Sequence, residues 1–198
     1  MARELRRRLL SGLRGRVVEI GCGDGRAFDL YPPEVEAVLA VEPDPVARAH
    51  AELRANDAAV PIDVVSGTAD RLPAEDGAFD AAVLVWVLCS VPKPIEALHE
   101  IRRVLAPDGE LRFYEHVRSD HRIFRALQRT VDATYWTRAL GGCRTTRNTE
   151  AAIRAGDFEF TWLEHGFHSS SLFTITSAPY ILGAARHEPS SHAHGEVD

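Results

Sequence analysis

The sequence predicts an α/β fold: one doubly wound domain on a mostly parallel seven-stranded sheet, with an antiparallel strand at one edge and a helical insertion over the strand ends. Three observations predict it. Short, nearly all-apolar runs such as "VEAVLAV" alternate with segments of helical periodicity, as strands covered on both faces alternate with crossover helices. The first run passes directly into a glycine-rich turn, "VVEIGCGDGRAF" from Val17. The last two β-like runs, "FEFTWLEH" and "LFTITSAPYILGAA", follow one another without a full helix between them and so pair antiparallel.

Residues 3–13 read as a short basic amphipathic helix with Leu5, Leu9, Leu10 and Leu13 on one face, closed by Gly15. A first strand is expected at 16–20, a short helix at 26–30 and a second strand at Val35–Val41. Pro45 opens a helix running to about Asn56. Ile62–Val65 is a third strand, and a turn at Asp76 and Gly77 leads into a fourth at Phe79–Val85. Residues 94–105 carry Ile95, Leu98, Ile101, Val104 and Leu105 at helical spacing. The turn "PDG" then starts a fifth strand at 110–117. This order implies right-handed crossovers.

The regularity breaks at 118–148, a basic stretch holding Phe124, Tyr135 and Trp136, which is expected to lay a helical lid over the strand ends. Asn148 or Thr149 caps a helix that Gly156 closes. The domain is thus expected to span 1–185. The polar segment 186–198, with His187, His192 and His194, reads as a flexible tail.

Composition narrows the function. The 198 residues carry a net charge of −6, which argues against a partner bound through nucleic-acid phosphates. No apolar run approaches the roughly 18 residues of a membrane span. The opening "MARELRRRLLSGLRG" has no apolar leader core, so neither a signal peptide nor a stable membrane anchor is expected. Cys22, Cys89 and Cys143 are odd in number, widely spaced and without a CxxC pair. They predict no metal site and a reducing, cytoplasmic setting.

Glycines at 21, 23 and 25 offer bare backbone N–H groups at a strand tip, where a ligand can approach closely. Dinucleotide sites use G-x-G-x-x-G. Here the spacing is G-x-G-x-G, with Asp24 between the last two glycines. A carboxylate is awkward beside a pyrophosphate but compatible with an ammonium or sulfonium, which favours S-adenosylmethionine. Glu42 ends the second strand, placed to accept hydrogen bonds from both hydroxyls of a ribose. That feature fits either adenosine cofactor.

The segments "EIGCGDG", Glu42, "GTADRLPAEDGAFDAAVLVWVL" and "ALHEIRRVLAPDGEL" resemble, in order and interval, the motif series of class I S-adenosylmethionine-dependent methyltransferases of the type 11 group, a Rossmann-like fold. The likeness covers about residues 16–117. "LCSVPKP", "FYEHV" and "GGCRTTRNTEAAI" resemble a narrower branch, which contains the thiol S-methyltransferases of animals and bacterial relatives, and extend the likeness to about residue 185. The animal proteins carry an apolar N-terminal anchor that is not expected here.

The resemblance implies S-adenosylmethionine as cofactor and a set of residues that hold it. Gly21, Cys22, Gly23 and Gly25 would wrap its methionine part, Glu19 would set its ammonium, and Glu42 with Pro43 would take the ribose. Thr68, Ala69 and Asp70 would lie against adenine. Many relatives have Asp-Ala where this chain has Thr68-Ala69, so base reading falls to Thr68, to Asp70 or to backbone. Val85 and Trp86 would approach the methionine end, with Leu88 and Cys89 nearby.

Methyl transfer from a sulfonium needs alignment and a dry site, and a base only where the acceptor must lose a proton. Glu115 and His116 end the fifth strand, on opposite faces by alternation. His116 carries an imidazole, which can both accept and donate a proton, and is the stronger candidate for orienting or deprotonating an acceptor. Cys143 reads as a nucleophile, an arsenic ligand or a packing residue, with no cysteine cluster evident. Arg147 reads as a contact to an acidic acceptor or a pin for the following helix. Cys89, Phe124, Tyr135 and Trp136 are expected to line an apolar acceptor pocket. The expected activity is methyl transfer to a small, apolar-bodied acceptor, a thiol first. N-, O- or C-methylation of a metabolite, quinone or lipid headgroup is the alternative. An NAD-dependent oxidoreductase and a non-catalytic cofactor-binding regulator are more distant ones.

Overall fold

The computed structural model describes residues 2–134, 141–169 and 172–187. Strands β1 (Gly15–Ile20), β2 (Val35–Val41), β3 (Ile62–Val65), β4 (Phe79–Val85) and β5 (Leu105–His116) pair in parallel. Two further strands, β6 (Phe158–Phe167) and β7 (Pro179–His187), complete one sheet in the order β3-β2-β1-β4-β5-β7-β6. β7 is antiparallel to both its neighbours, and β6 forms the edge.

Alternation along the strands divides the core between two faces. Val18, Ile20, Ala82, Leu84, Leu111 and Phe113 pack against α3 (Pro94–Val104) and α5 (Thr149–Ala155). Val17, Val38, Ala81 and Val83 pack toward α1 (Ala2–Leu10) and α2 (Pro45–Ala55). Each buried valine, leucine, isoleucine or phenylalanine among these contributes about 1.5–3 kcal/mol. Two helices start where proline needs no N–H partner, at Pro45 and Pro94. Asp44 caps α2 by accepting from the Val46 and Ala47 N–H groups.

The differences from the sequence reading have local causes. α1 ends at Leu10, because Gly12 already takes a positive φ of 76°. Gly15, at φ 70°, instead opens β1. The expected helix at 26–30 is a single 3-10 turn over Phe28–Leu30, wedged between Gly25 and Pro32. β5 begins at Leu105 and absorbs the "PDG" turn. Residues Leu172–Ser177 form a 3-10 turn, so β7 starts only at Pro179, whose missing N–H suits a strand's first position. Pairing of Arg186 with Glu110 and Glu159 carries β7 to His187, two residues past the expected domain end. Within 118–148 lies α4 (Arg122–Asp132). Tyr135, Trp136, His192 and His194 fall outside the described residues.

Candidate active site

The carboxyl ends of β1, β2, β4 and β5 border a cavity of about 910 Å³, within the range of roughly 300–1,000 Å³ typical of small-molecule sites. β1 leaves the sheet at Gly21, φ 67°. The N–H groups of Gly21 and Cys22 both reach the Val41 carbonyl, at 2.8 and 3.2 Å, so the turn folds onto the end of β2. A Cβ on Gly21 would lie 2.7 Å from Val87 Cγ2, so only glycine lets the chain pass. Glu42 ties the two strand ends together. Its Oε2 accepts from the Gly23 N–H at 2.8 Å and its Oε1 from the Asp44 N–H at 2.9 Å. It borders the cavity while only 8% exposed.

Of the expected cofactor residues, Gly21, Glu42 and Pro43 border the cavity on this side. Thr68, Ala69 and Asp70 border it beyond β3, and Val85 and Trp86 at the tip of β4. The Thr68 hydroxyl and its own backbone N–H hold the Asp70 carboxyl below its usual range. Glu19, Cys22, Gly23 and Gly25 do not line the cavity. Glu19 is buried under the α1 face, where Tyr31 Oη donates to it at 2.8 Å. Burial raises its carboxyl to about 7. Cys22 is buried and its thiol pushed up by desolvation. Gly25 makes room for Phe28, whose ring a Cβ would meet at 2.7 Å. Asp24 is turned to Arg26 and Arg54, each at 3.0 Å, and not to a ligand cation.

Trp86 holds φ 61°, a conformation that costs an indole-bearing residue about 1–3 kcal/mol. Its N–H reaches the Tyr114 carbonyl at 2.9 Å, and its ring stacks on His116. The Arg6 guanidinium of α1 lies 4.9 Å from the ring centroid. Tyr114 and His116, two apart on β5, share this face and border the cavity.

The structure gives Glu115 a different task from the one expected. It is fully buried. Its Oε1 accepts from the Val87 and Leu88 N–H groups at 2.7 and 3.0 Å, and its Oε2 from the Cys89 N–H at 3.0 Å. Burial pushes its carboxyl up while these three bonds pull it down. Arg147 closes the same turn from the other side, donating to the Leu88 carbonyl at 2.6 Å and to that of Val91. Neither lines the cavity. Phe124 packs on Phe167, centroids 5.8 Å apart, away from the cavity wall.

The expected absence of a cysteine cluster is corrected. Cys89 Sγ and Cys143 Sγ lie 3.6 Å apart, and His116 Nδ1 lies 3.7 and 3.5 Å from them respectively. Contacts to Cys89 and His116 outweigh burial and draw the Cys143 thiol down to about 5, while Cys89 is pushed well up. His116 and Cys143 border the cavity; Cys89 is wholly buried behind them. One signal for half of this cluster stood in the strand order. Parallel neighbours β4 and β5 pair Val85 with Tyr114, so Cys89 and His116 leave the sheet at one corner. Cys143 arrives through a loop, and Arg6 through α1, with no local signal for either.

Residues 18–113 match the family model described as a methyltransferase domain, type 11. The chain is 32% identical over 183 residues to thiol S-methyltransferase TMT1B of Homo sapiens, covering 89% of this chain and 73% of that protein. It is 30% identical over 149 residues to the demethylmenaquinone methyltransferase of Renibacterium salmoninarum, covering 74% and 60%. Among solved structures it superposes with TM-score 0.69 on an S-adenosylmethionine-dependent methyltransferase of Thermotoga maritima, described as a possible histamine N-methyltransferase. That pair shares 23% identity over 94% and 89% of the two chains, a likeness of fold.

Fold, glycine turn and cavity together define an S-adenosylmethionine-dependent methyltransferase of class I. Within that class the chain belongs to the type 11 family, alongside the thiol S-methyltransferases, and S-adenosylmethionine is its cofactor.

Proposed function

We propose that the enzyme methylates a small thiol with an apolar body. The observation that carries this reading is the make-up of the wall around Trp86. His116 and Cys143 border the cavity there, while the nearby carboxylates Glu19 and Glu115 are buried and bonded elsewhere. An aliphatic hydroxyl needs a strong base to react. A thiol, with an ordinary pKa of about 8.5, does not. The thiol S-methyltransferase relatives support the same acceptor.

The bound cofactor supplies a methyl group on a positively charged sulfur. The chain's own residues bind, orient and keep water out. The Gly21 turn leaves room for the methionine part. Glu42 keeps free lone pairs on both oxygens for ribose hydroxyls, and its two backbone bonds fix their direction. Asp70, held ionised, can accept from the exocyclic amine of adenine. Trp86, Val85 and Tyr114 form an apolar wall against which the methyl would be presented. Glu115 and Arg147 act as positioning residues for the Val87–Val91 turn. The net charge of −6 supports a small-molecule acceptor over nucleic acid. Three free, buried cysteines support a reducing compartment such as the cytoplasm. No helix among the described residues is long and apolar enough to cross a membrane.

Incubation with methyl-labelled cofactor and matched panels of thiols, phenols, amines and demethylquinones tests the reading. Label should pass to apolar thiols first. Turnover of another class with every thiol inert would overturn it.

A further inference from the structure

We propose that Cys89, His116 and Cys143 are three ligands of a tetrahedral zinc site whose fourth position opens on the cofactor cavity and takes the acceptor as a thiolate. Binding of zinc stands on this geometry alone; the occupant of the fourth position rests on the thiol reading above.

The triangle of donor atoms carries the inference. Zinc bonds of about 2.3 Å to sulfur and 2.0–2.1 Å to nitrogen, at tetrahedral angles, put two sulfurs about 3.8 Å apart and each about 3.5 Å from the nitrogen. The observed edges are 3.6, 3.7 and 3.5 Å. All three donor atoms therefore already lie on one face of the tetrahedron. Two thiolates and an imidazole are a zinc set by chemistry, and three protein ligands with one open position are the arrangement of catalytic zinc. The open side has somewhere to face, because His116 and Cys143 border the cavity.

The backbone beside each ligand is also fixed by its neighbours. Glu115 fixes the backbone of Cys89, and the Cys89 carbonyl accepts from the Arg144 N–H at 2.9 Å. The His116 carbonyl accepts from Thr149 Oγ1 at 3.1 Å, and its ring lies against Trp86. Past Cys143, the Asp132 carboxylate accepts from the Thr145 and Thr146 N–H groups at 2.9 and 3.0 Å. The segments "LCSVPKP", "FYEHV" and "GGCRTTRNTEAAI", singled out in the sequence, contribute one ligand each.

The chemistry balances. A thiol entering the fourth position gives its proton to solvent and stays a thiolate at neutral pH beside the cation. Its lone pair forms the new S–C bond to the methyl group. The bond from that methyl to the cofactor's sulfonium breaks, and its electron pair stays on the cofactor, leaving neutral S-adenosylhomocysteine. The product thioether is uncharged and a poor ligand, so water displaces it.

The test uses the full chain, reduced and stripped with a chelator, then titrated with zinc against a coloured competitor and separately with cobalt(II). One equivalent of zinc is expected, and cobalt should give the intense visible bands of a tetrahedral, thiolate-bound ion. A small aromatic thiol should shift those bands. Cys89→Ser and Cys143→Ser should each weaken zinc about a hundredfold or more, while Cys22→Ser leaves it unchanged. The cobalt spectrum needs no variant, so a variant that fails to fold does not remove the test. The site is overturned by substoichiometric zinc, by six-coordinate cobalt without sulfur bands, or by protein that yields only a Cys89–Cys143 disulfide. Stoichiometric zinc with bands unmoved by thiols overturns the fourth-position claim. Zinc bound at one equivalent with thiols bound but never methylated sinks the thiol-substrate reading and leaves the metal site standing.

Discussion

The indole of Trp86 lies flat against the imidazole of His116, ring centroids 5.1 Å apart and planes 11° from parallel. Trp86 reaches this position only through a left-handed backbone, and such stacks contribute about 0.5–1.5 kcal/mol beyond their buried area. The indole therefore orients His116. Trp86→Ala should lower kcat/KM for the acceptor about tenfold, from lost stacking. Trp86→Phe should restore most of it. Steady-state kinetics at saturating cofactor read both.

Glu42 holds Gly23 and Asp44 through one carboxylate, the group proposed above to take the cofactor ribose. Removing an acceptor that bridges two backbone donors costs about 1–3 kcal/mol, or roughly five- to a hundred-and-fifty-fold in affinity. Calorimetry with S-adenosylhomocysteine should find a loss of that size in Glu42→Ala. Unchanged affinity would contradict the ribose role.

What was legible follows from how local each cause is. β2, β3 and β4 have the bounds read from sequence, because a buried parallel strand is a continuous apolar run cut by Gly, Pro or Asp. Pro45 and Pro94 marked their helices for a similar reason. The place of Glu42 on the cavity was legible because it follows from the end of β2 alone. Asp24 favoured the right cofactor for a reason the structure does not share, because Arg26 and Arg54, the latter thirty residues on, pair with it. Glu115 misled for the same kind of reason: its strand-end position suggested chemistry, but its partners are N–H groups on the neighbouring strand's exit turn. The meeting of Cys89 and Cys143 depends on a loop path that no periodicity encodes.

Glu115 faces three backbone N–H groups and no other donor is needed to satisfy it. Glu115→Gln would aim an amide N–H at one of them, costing about 1–3 kcal/mol. Because the turn carries Val87 on the cavity wall and Cys89 behind it, kcat should fall together with stability. Urea unfolding and kinetics at saturating substrates check this.

Glu19 gives a pH dependence of known sign. Its carboxyl rises from 4.5 to about 7 on folding, chiefly through burial, with Tyr31 and Arg6 opposing. Below pH 4.5 it is protonated folded or unfolded and has no effect. Between 4.5 and 7 the unfolded chain releases the proton first, so stability falls as pH rises, and the loss is complete above about 7. At 1.36 kcal/mol per pKa unit the loss is about 3 kcal/mol. Glu19→Gln keeps an acceptor for Tyr31 and removes the charge. The wild type should lose about 3 kcal/mol more than this variant between pH 4.5 and 8 by urea unfolding. Parallel curves would contradict the assignment.

Two glycines separate backbone strain from crowding. Gly12 and Gly21 have similar positive φ values, 76° and 67°. A Cβ on Gly12 meets nothing within 4 Å, whereas one on Gly21 lies 2.7 Å from Val87 Cγ2. Gly12→Ala should therefore cost only the left-handed penalty, about 1–2 kcal/mol. Gly21→Ala adds the displacement of Val87, about 1–3 kcal/mol more. The Val87 N–H is bonded to Glu115 at 2.7 Å, so a backbone shift of Val87 passes into the turn that carries Cys89. Gly21→Ala should then weaken S-adenosylhomocysteine binding at least tenfold, with Gly12→Ala leaving it unchanged at equal protein concentration. Equal losses of binding in the two variants would mean that φ alone, and not the closeness of β1's tip to Val87, sets the shape of the cofactor wall.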